Sequence, residues 1–227
     1  MQLNTQFMKL KITLLLIVFI PLIIYSQNKV SKKEIYHQWN KSQIYFDSIN
    51  NYTTQFDSIV VCFIKKLKSD GVDTFGIYSI EYPGYMSTDS CECGMYPWEA
   101  YVQWIKDGKT FHQKITKCCS YKPKIIENSI LISYYNNNRI NINKERIMPV
   151  IKGASKGKGG EILFHMEDVD HNQNYTIFCS INGKSKLTAF EQFELENKNN
   201  LFYQENINSF IFKWRELIDK QINKIGR

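Results

Sequence analysis

The stretch "WEAYVQWIKDGKTFHQKIT", residues 98–116, admits very few backbone conformations. Its two arms alternate apolar and polar side chains. They meet at Asp107-Gly108, a pair that readily supplies positive φ at both central positions of a two-residue turn. That turn fixes the register: Lys106 opposite Lys109, Trp104 opposite Phe111, Val102 opposite Gln113. Ala100, Val102, Trp104, Phe111 and Ile115 are then expected on one face, against a core. Gln103, His112 and Lys114 are expected to face away.

Carrying the register outward places Trp98 opposite Lys117 and Tyr96 near Cys119. Cys91 and Cys93 therefore arrive at the same open end as Cys118 and Cys119. In an oxidising compartment, disulfides between the two pairs are the first expectation. Neighbouring Cys118 and Cys119 are a poor mutual pair, because so small a ring strains the intervening peptide. Residues two apart share a strand face and adjacent residues do not, so a second bridge needs an irregular segment, which Gly94 permits. A tetrathiolate site for zinc, or for Cu(I), is the competing reading, although Cys-x-Cys plus adjacent cysteines departs from the usual Cys-x2-4-Cys knuckle. No Cys-x-x-Cys is present to suggest a thiol oxidoreductase.

Export is expected from the N-terminus. Lys9 and Lys11 precede an uncharged apolar run, Ile12 to Tyr25, that ends at Ser26. A basic region, a short apolar region and a small terminal residue describe a signal peptide over residues 1–26, with one domain over 27–227. The run falls short of the roughly 18–20 residues that span a bilayer, so no membrane span is expected after processing. Met8 opens this signal more typically than Met1 does. The Tyr-Ser-Gln ending and the abundance of Asn, Ile and Lys resemble exported proteins of AT-rich bacteria, and the product is expected to be periplasmic or secreted.

The remaining pattern points to an α+β fold, a mainly antiparallel sheet with helices packed on one face. Ser31-Lys32-Lys33-Glu34 fits a capping box opening a helix over 32–48. Phe56, Val60, Phe63 and Leu67 mark a second helix over 54–68, with Cys62 read as a small buried hydrophobe. Residues 74–82 alternate as a strand and stop at Pro83-Gly84. Residues 126–142 read as a short helix that ends in its Asn run. Residues 161–169 and 174–195 read as strands, turning at Asn182-Gly183. From 207 to 225, Ile207, Phe210, Ile211, Trp214, Leu217, Ile218 and Ile225 share one helical face. The order helix, strand, hairpin occurs twice, but neither period nor core pattern otherwise supports a duplication.

Chemistry is harder to locate. "HMEDVDHNQN" offers His165, Glu167, Asp168, Asp170 and His171 as metal ligands or an acid/base pair. It opens like a calcium loop, then fails where Gln173 replaces the turn glycine and Cys179 the bidentate Glu. "IKGASKGKGGE" at 151–161 misses the phosphate-loop spacing and reads as a solvated connection. No nucleophile elbow or zinc-protease motif occurs. The chain carries +7 overall, two of them from Lys9 and Lys11, scattered among acids, so nucleic acid is not the expected partner. Tyr82, Tyr85, Tyr96 and Trp98 beside Pro/Gly turns are candidates for a binding surface. The expected function is therefore a non-catalytic module for a protein or small-molecule ligand, with no cofactor. The alternatives are a thiol metal site, zinc foremost, or a metal-assisted hydrolase on residues 165–171.

Overall fold

The Asp107-Gly108 turn forms as its sequence requires, with φ of 51° and 70°. In the computed structural model, which describes residues 30–49, 55–87, 94–95 and 97–226, it joins β4 (Trp98–Lys106) to β5 (Lys109–Thr116). The pairing Lys106–Lys109, Trp104–Phe111 and Val102–Gln113 is the expected one. A second hairpin, β9 (Asn174–Ile181) and β10 (Lys184–Glu191), turns at Asn182-Gly183 with the same left-handed geometry. Both hairpins dock on one central strand, β1 (Phe75–Glu81), each through its first strand and in antiparallel register. A short edge strand, β6 (Lys124–Ile126), completes the order β10-β9-β1-β4-β5-β6. Two smaller ladders stand apart: β2 (Met86–Ser87) with β3 (Gly94–Met95), and β7 (Ile151–Lys156) with β8 (Ile162–Met166).

The fold is α+β, and helices cover both faces of the main sheet rather than one. Residues that alternate along a strand point to opposite faces. One set, Phe75, Ile77, Ala100, Val102, Trp104, Ile115 and Phe178, packs under α2 (Ser58–Ser69) through Val60, Val61, Ile64 and Leu67. The other set, Tyr78, Tyr101, Tyr175, Ile177 and Cys179, packs under α3 (Ile130–Lys144) and the C-terminal helix α6 (Phe210–Ile225). Gln103 and His112, expected to face away from the core, are therefore buried as well. Gly76 lets α3 approach this closely: a Cβ there would lie 2.5 Å from Leu131 Cγ. Helix α6 buries Ile211, Trp214 and Ile218 on that side.

The helix ends follow local chemistry. Ser31 and Glu34 form the reciprocal cap, Glu34 Oε2 accepting Ser31 N–H at 2.8 Å, at the start of α1 (Lys32–Ile49). Asp57 and Ser129 cap α2 and α3 by accepting from Ile59 N–H and Ile132 N–H. Three expectations need correction. Cys62 is exposed, because the buried stripe of α2 runs through Val60, Val61, Ile64 and Leu67 and leaves position 62 outside it. Helix α3 continues through the Asn run to Lys144, since burial of Tyr135 and Ile142 on either side of the run outweighs weak Asn propensity. Residues 151–156 are strand, not solvated connection: Ile151 is buried, and α1 lays Trp39 against Phe164 of the facing strand, ring centroids 5.9 Å apart.

Residues 192–196 form a short helix, α4 (Gln192–Glu196), where strand was expected. The Glu191/Glu194 capping box stops the strand. A further short helix, α5 (Tyr203–Ile207), precedes α6, and buried Asn206 bonds both the N–H and the carbonyl of Met148. Among the described residues no helix is long and apolar enough to cross a membrane. The segment expected as signal peptide, together with Cys91, Cys93 and Tyr96, lies outside the described residues.

Candidate binding site

Three of the four aromatic candidates converge. Tyr82, Tyr85 and Trp98 line a cleft of about 460 Å³ with Pro97, Glu99 and Gln173. The turn Tyr82-Pro83-Gly84-Tyr85 swings Tyr85 onto the rim, its N–H donating to the Tyr82 carbonyl at 3.2 Å. Gly84 is required there twice over, by a φ of 76° and because a Cβ would meet the His171 ring at 1.9 Å. Trp98 is buried, whereas Tyr85 is 60% exposed.

Glu99 is the polar centre of the cleft. Tyr82 Oη donates to its Oε1 at 3.2 Å, and Lys114 Nζ lies 2.5 Å from its Oε2. Tyr101, on the same face of β4, has its phenol pushed well above the ordinary range, first by burial and then by the Glu99 charge. Aromatic faces beside a carboxylate and the Gln173 amide suit a ligand with an apolar face and outward hydroxyl or N–H donors. Sequence reasoning did not place Glu99 or Gln173 at a binding site. The available signal was a carboxylate alternating with Tyr101 and Gln103 in an otherwise apolar strand.

Behind the cleft runs a ladder of five rings, one from each of five adjacent strands. His112, Tyr101, Tyr78, Tyr175 and Phe190 stand with successive centroids 5.8, 6.4, 6.2 and 5.6 Å apart. Helix α6 lays an ion pair across it. Tyr78 Oη donates to Asp219 Oδ1 at 2.6 Å. Arg215 Nε sits 2.9 Å from Asp219 Oδ2, an ion pair rather than an aligned hydrogen bond. Arg215 Nη2 donates to Tyr175 Oη at 2.9 Å, and Tyr175 Oη donates to Gln173 Oε1 at 2.6 Å, which fixes a wall of the cleft.

A second buried chain orients His112. Ser129 Oγ donates to Gln103 Oε1, so the Gln103 amide nitrogen is left to donate to Gln221 Oε1 at 3.1 Å and toward His112 Nδ1 at 3.2 Å. A proton on Nδ1 would oppose that donor. Burial, followed by the nearby Lys124 charge, brings the imidazole down to about 4.

The acid and histidine cluster is dispersed. His165 Nε2 is 3.1 Å from Ser155 Oγ, Glu167 is held by Lys152 at 2.7 Å and by Asn197 at 3.0 Å, and Asp168 accepts from the Val169 N–H. Asp170 is exposed, and His171 packs on Gly84, where it supports the Tyr85 turn. Among the described residues no group of three or more His, Cys, Asp or Glu is gathered for a metal. Ser155 and His165 make a hydroxyl–imidazole pair, but neither lines the cleft. Cys62 and Cys179 are free thiols, the first exposed and the second buried. Around Cys118 and Cys119 the second arm of the hairpin is irregular: Thr116 N–H donates to the Cys119 carbonyl at 2.8 Å, closing a tight turn. No protein-family model, curated protein or solved structure matches this chain.

Proposed function

We propose that the chain is an exported, non-catalytic binding module whose ligand seats in the Tyr82–Tyr85–Trp98 cleft. The observation that carries this reading is the convergence of these three aromatic residues on Glu99 and Gln173. Tyr85 stacks on the apolar face of the ligand, and Glu99 and Gln173 take its donors. The proposal includes bridges from Cys118 and Cys119 to Cys91 and Cys93. Such links would tie the chain between β1 and β4 to the end of β5. Neither bonded cysteine is then available as a zinc thiolate.

Calorimetric titration with cello- and chito-oligosaccharides and with aromatic-rich peptides tests the module. A ligand found this way should bind the Tyr85→Ala variant at least about fivefold more weakly, a loss of ~1 kcal/mol. Unchanged affinity in that variant removes the cleft from the proposal. The Ser155–His165 pair favours one second reading, a hydrolase. Hydrolysis of p-nitrophenyl acetate that disappears in His165→Ala would establish it in place of the module.

A further inference from the structure

On the far side of Glu99 lies a second concavity, about 750 Å³, between β5, β6 and the last turn of α6. Strand alternation builds it. His112 and Lys114 share a face of β5, His112 pairs with Lys124 of β6, and Lys122 lies two residues before Lys124 on the same side. Tyr101 forms the inner wall and Tyr121, 44% exposed, the outer one. Among the described residues, three ammonium groups line the groove, and one of them, Lys114, is paired with a carboxylate, Glu99.

The three lysines are not equivalent. Lys114 is already engaged, paired with Glu99 and held 5.6 and 5.9 Å from the centroids of Tyr101 and Tyr121. Lys124 donates to the Ile225 carbonyl at 3.1 Å, which satisfies one donor and neutralises nothing. Lys122 is exposed and has no carboxylate partner among the described residues. Helix capping accounts for Lys124, and cation–π packing for Lys114. Neither accounts for Lys122.

We propose that this groove binds an acidic oligosaccharide, with Lys122 and Lys124 on its carboxylate or sulfate groups and Tyr121 against a sugar ring. The site is separate from the Tyr85 cleft, so either can fail while the other stands. An anionic sugar matches both features of the lining: charged substituents for the ammonium groups and a ring face for the exposed phenol. Lys114 positions Tyr121 and Tyr101 through its place between them and makes no contact with the ligand.

The test is calorimetry of the full chain at 50 mM salt with oligogalacturonate, a heparin oligosaccharide, neutral dextran and a single-stranded oligonucleotide. Either acidic glycan should bind and dextran should not. Oligogalacturonate alone assigns carboxylate recognition, heparin alone assigns sulfate, and both together assign charge. Lys122→Glu should raise Kd at least about tenfold and leave the melting temperature unchanged, since Lys122 is exposed. Lys122→Ala/Lys124→Ala should do the same with some helix-end loosening, and Tyr85→Ala should have no effect. Binding of neither glycan, equal binding of dextran, unchanged affinity in Lys122→Glu, or tighter binding of a single-stranded oligonucleotide overturns the proposal.

Discussion

The two faces of the main sheet are both buried and differently made. Under α2 the contacts are hydrocarbon and ring: Ile77, Ala100, Val102 and Ile115, with Phe75 on Phe178 at 5.7 Å and Trp104 on Phe111 at 5.3 Å. Under α3 and α6 the ring ladder carries hydroxyls and an imidazole: Tyr78 and Tyr175 bond Asp219 and Arg215 of α6, and His112 meets Gln103, which in turn bonds Gln221 of α6. Apolar contacts survive volume-conserving exchange. Buried polar groups do not, because a partner lost is a desolvated group left bare. The first face gives cohesion without selecting a helix register. The second admits one docking of α6, the one in which Asp219 meets Tyr78 and Gln221 meets Gln103.

Removing one tryptophan from each face gives the largest expected effect. Trp214→Ala and Trp104→Ala should each cost about 3–5 kcal/mol in urea unfolding. Trp214 is fully buried, stacks on Tyr135 at 5.6 Å and donates Nε1–H to the Leu131 carbonyl at 3.1 Å. Its loss should exceed that of Trp104 by about 1 kcal/mol, the worth of the added hydrogen bond. Equal costs would break the distinction between the faces.

The ends of the ladder should respond to pH in opposite senses. His112 falls from 6.5 to about 4 on folding, so the unfolded chain takes its proton first. Its contribution to stability is complete above about pH 6.5 and drains as pH falls toward 4. Glu194, beyond Phe190 at the other end, rises from 4.5 to about 7, through burial chiefly and the Glu191 and Asp168 charges in addition. Its contribution is complete below about pH 4.5 and drains as pH rises toward 7. Relative to the unsubstituted chain, His112→Gln should gain about 2 kcal/mol at pH 5 over pH 7, and Glu194→Gln about as much at pH 7 over pH 5. Unfolding midpoints at the two values measure both. Shifts of the same sign in both variants would refute the assignment.

Tyr78→Phe comes next, at about 1–3 kcal/mol, because it keeps the ring and strips Asp219 of a 2.6 Å donor. Asp219→Asn in the same background should recover part of the loss, since an amide in place of the carboxylate needs less compensation. No recovery would mean that the ring stack, not the hydrogen bond, holds α6.

What could be read from the chain tracks this same contrast. The hairpin register followed from Asp107-Gly108 and alternation, both local, and the capping boxes likewise. The face under α2 was visible as Ala100, Val102 and Trp104. The face under α6 was misjudged as solvated because Gln103, His112 and Lys114 are polar by type, and only long-range partners such as Gln221 and Ser129 make burial tolerable there. The cleft was half legible: Tyr82, Tyr85 and Trp98 stand beside turns, but Gln173 reaches it from the far hairpin and no local pattern announces that. The same holds for His171, a candidate ligand by type that serves as packing for Gly84.

The smallest expected effect probes whether the second face has polar capacity to spare. Cys179 lies fully buried within it, and burial alone pushes its thiol far above the ordinary range. It behaves there as a small hydrophobe, so Cys179→Ala should cost only about 1 kcal/mol. Cys179→Ser keeps the volume and adds a hydroxyl, which should cost about 1–3 kcal/mol if every acceptor nearby is already taken. Ellman's reagent supplies an independent reading: exposed Cys62 should react on mixing, and Cys179 only at the rate of opening. Serine tolerated as well as alanine would show an unused acceptor beside β9. The polar partners under α6 would then be a permissive medium and not a set of individually fitted bonds.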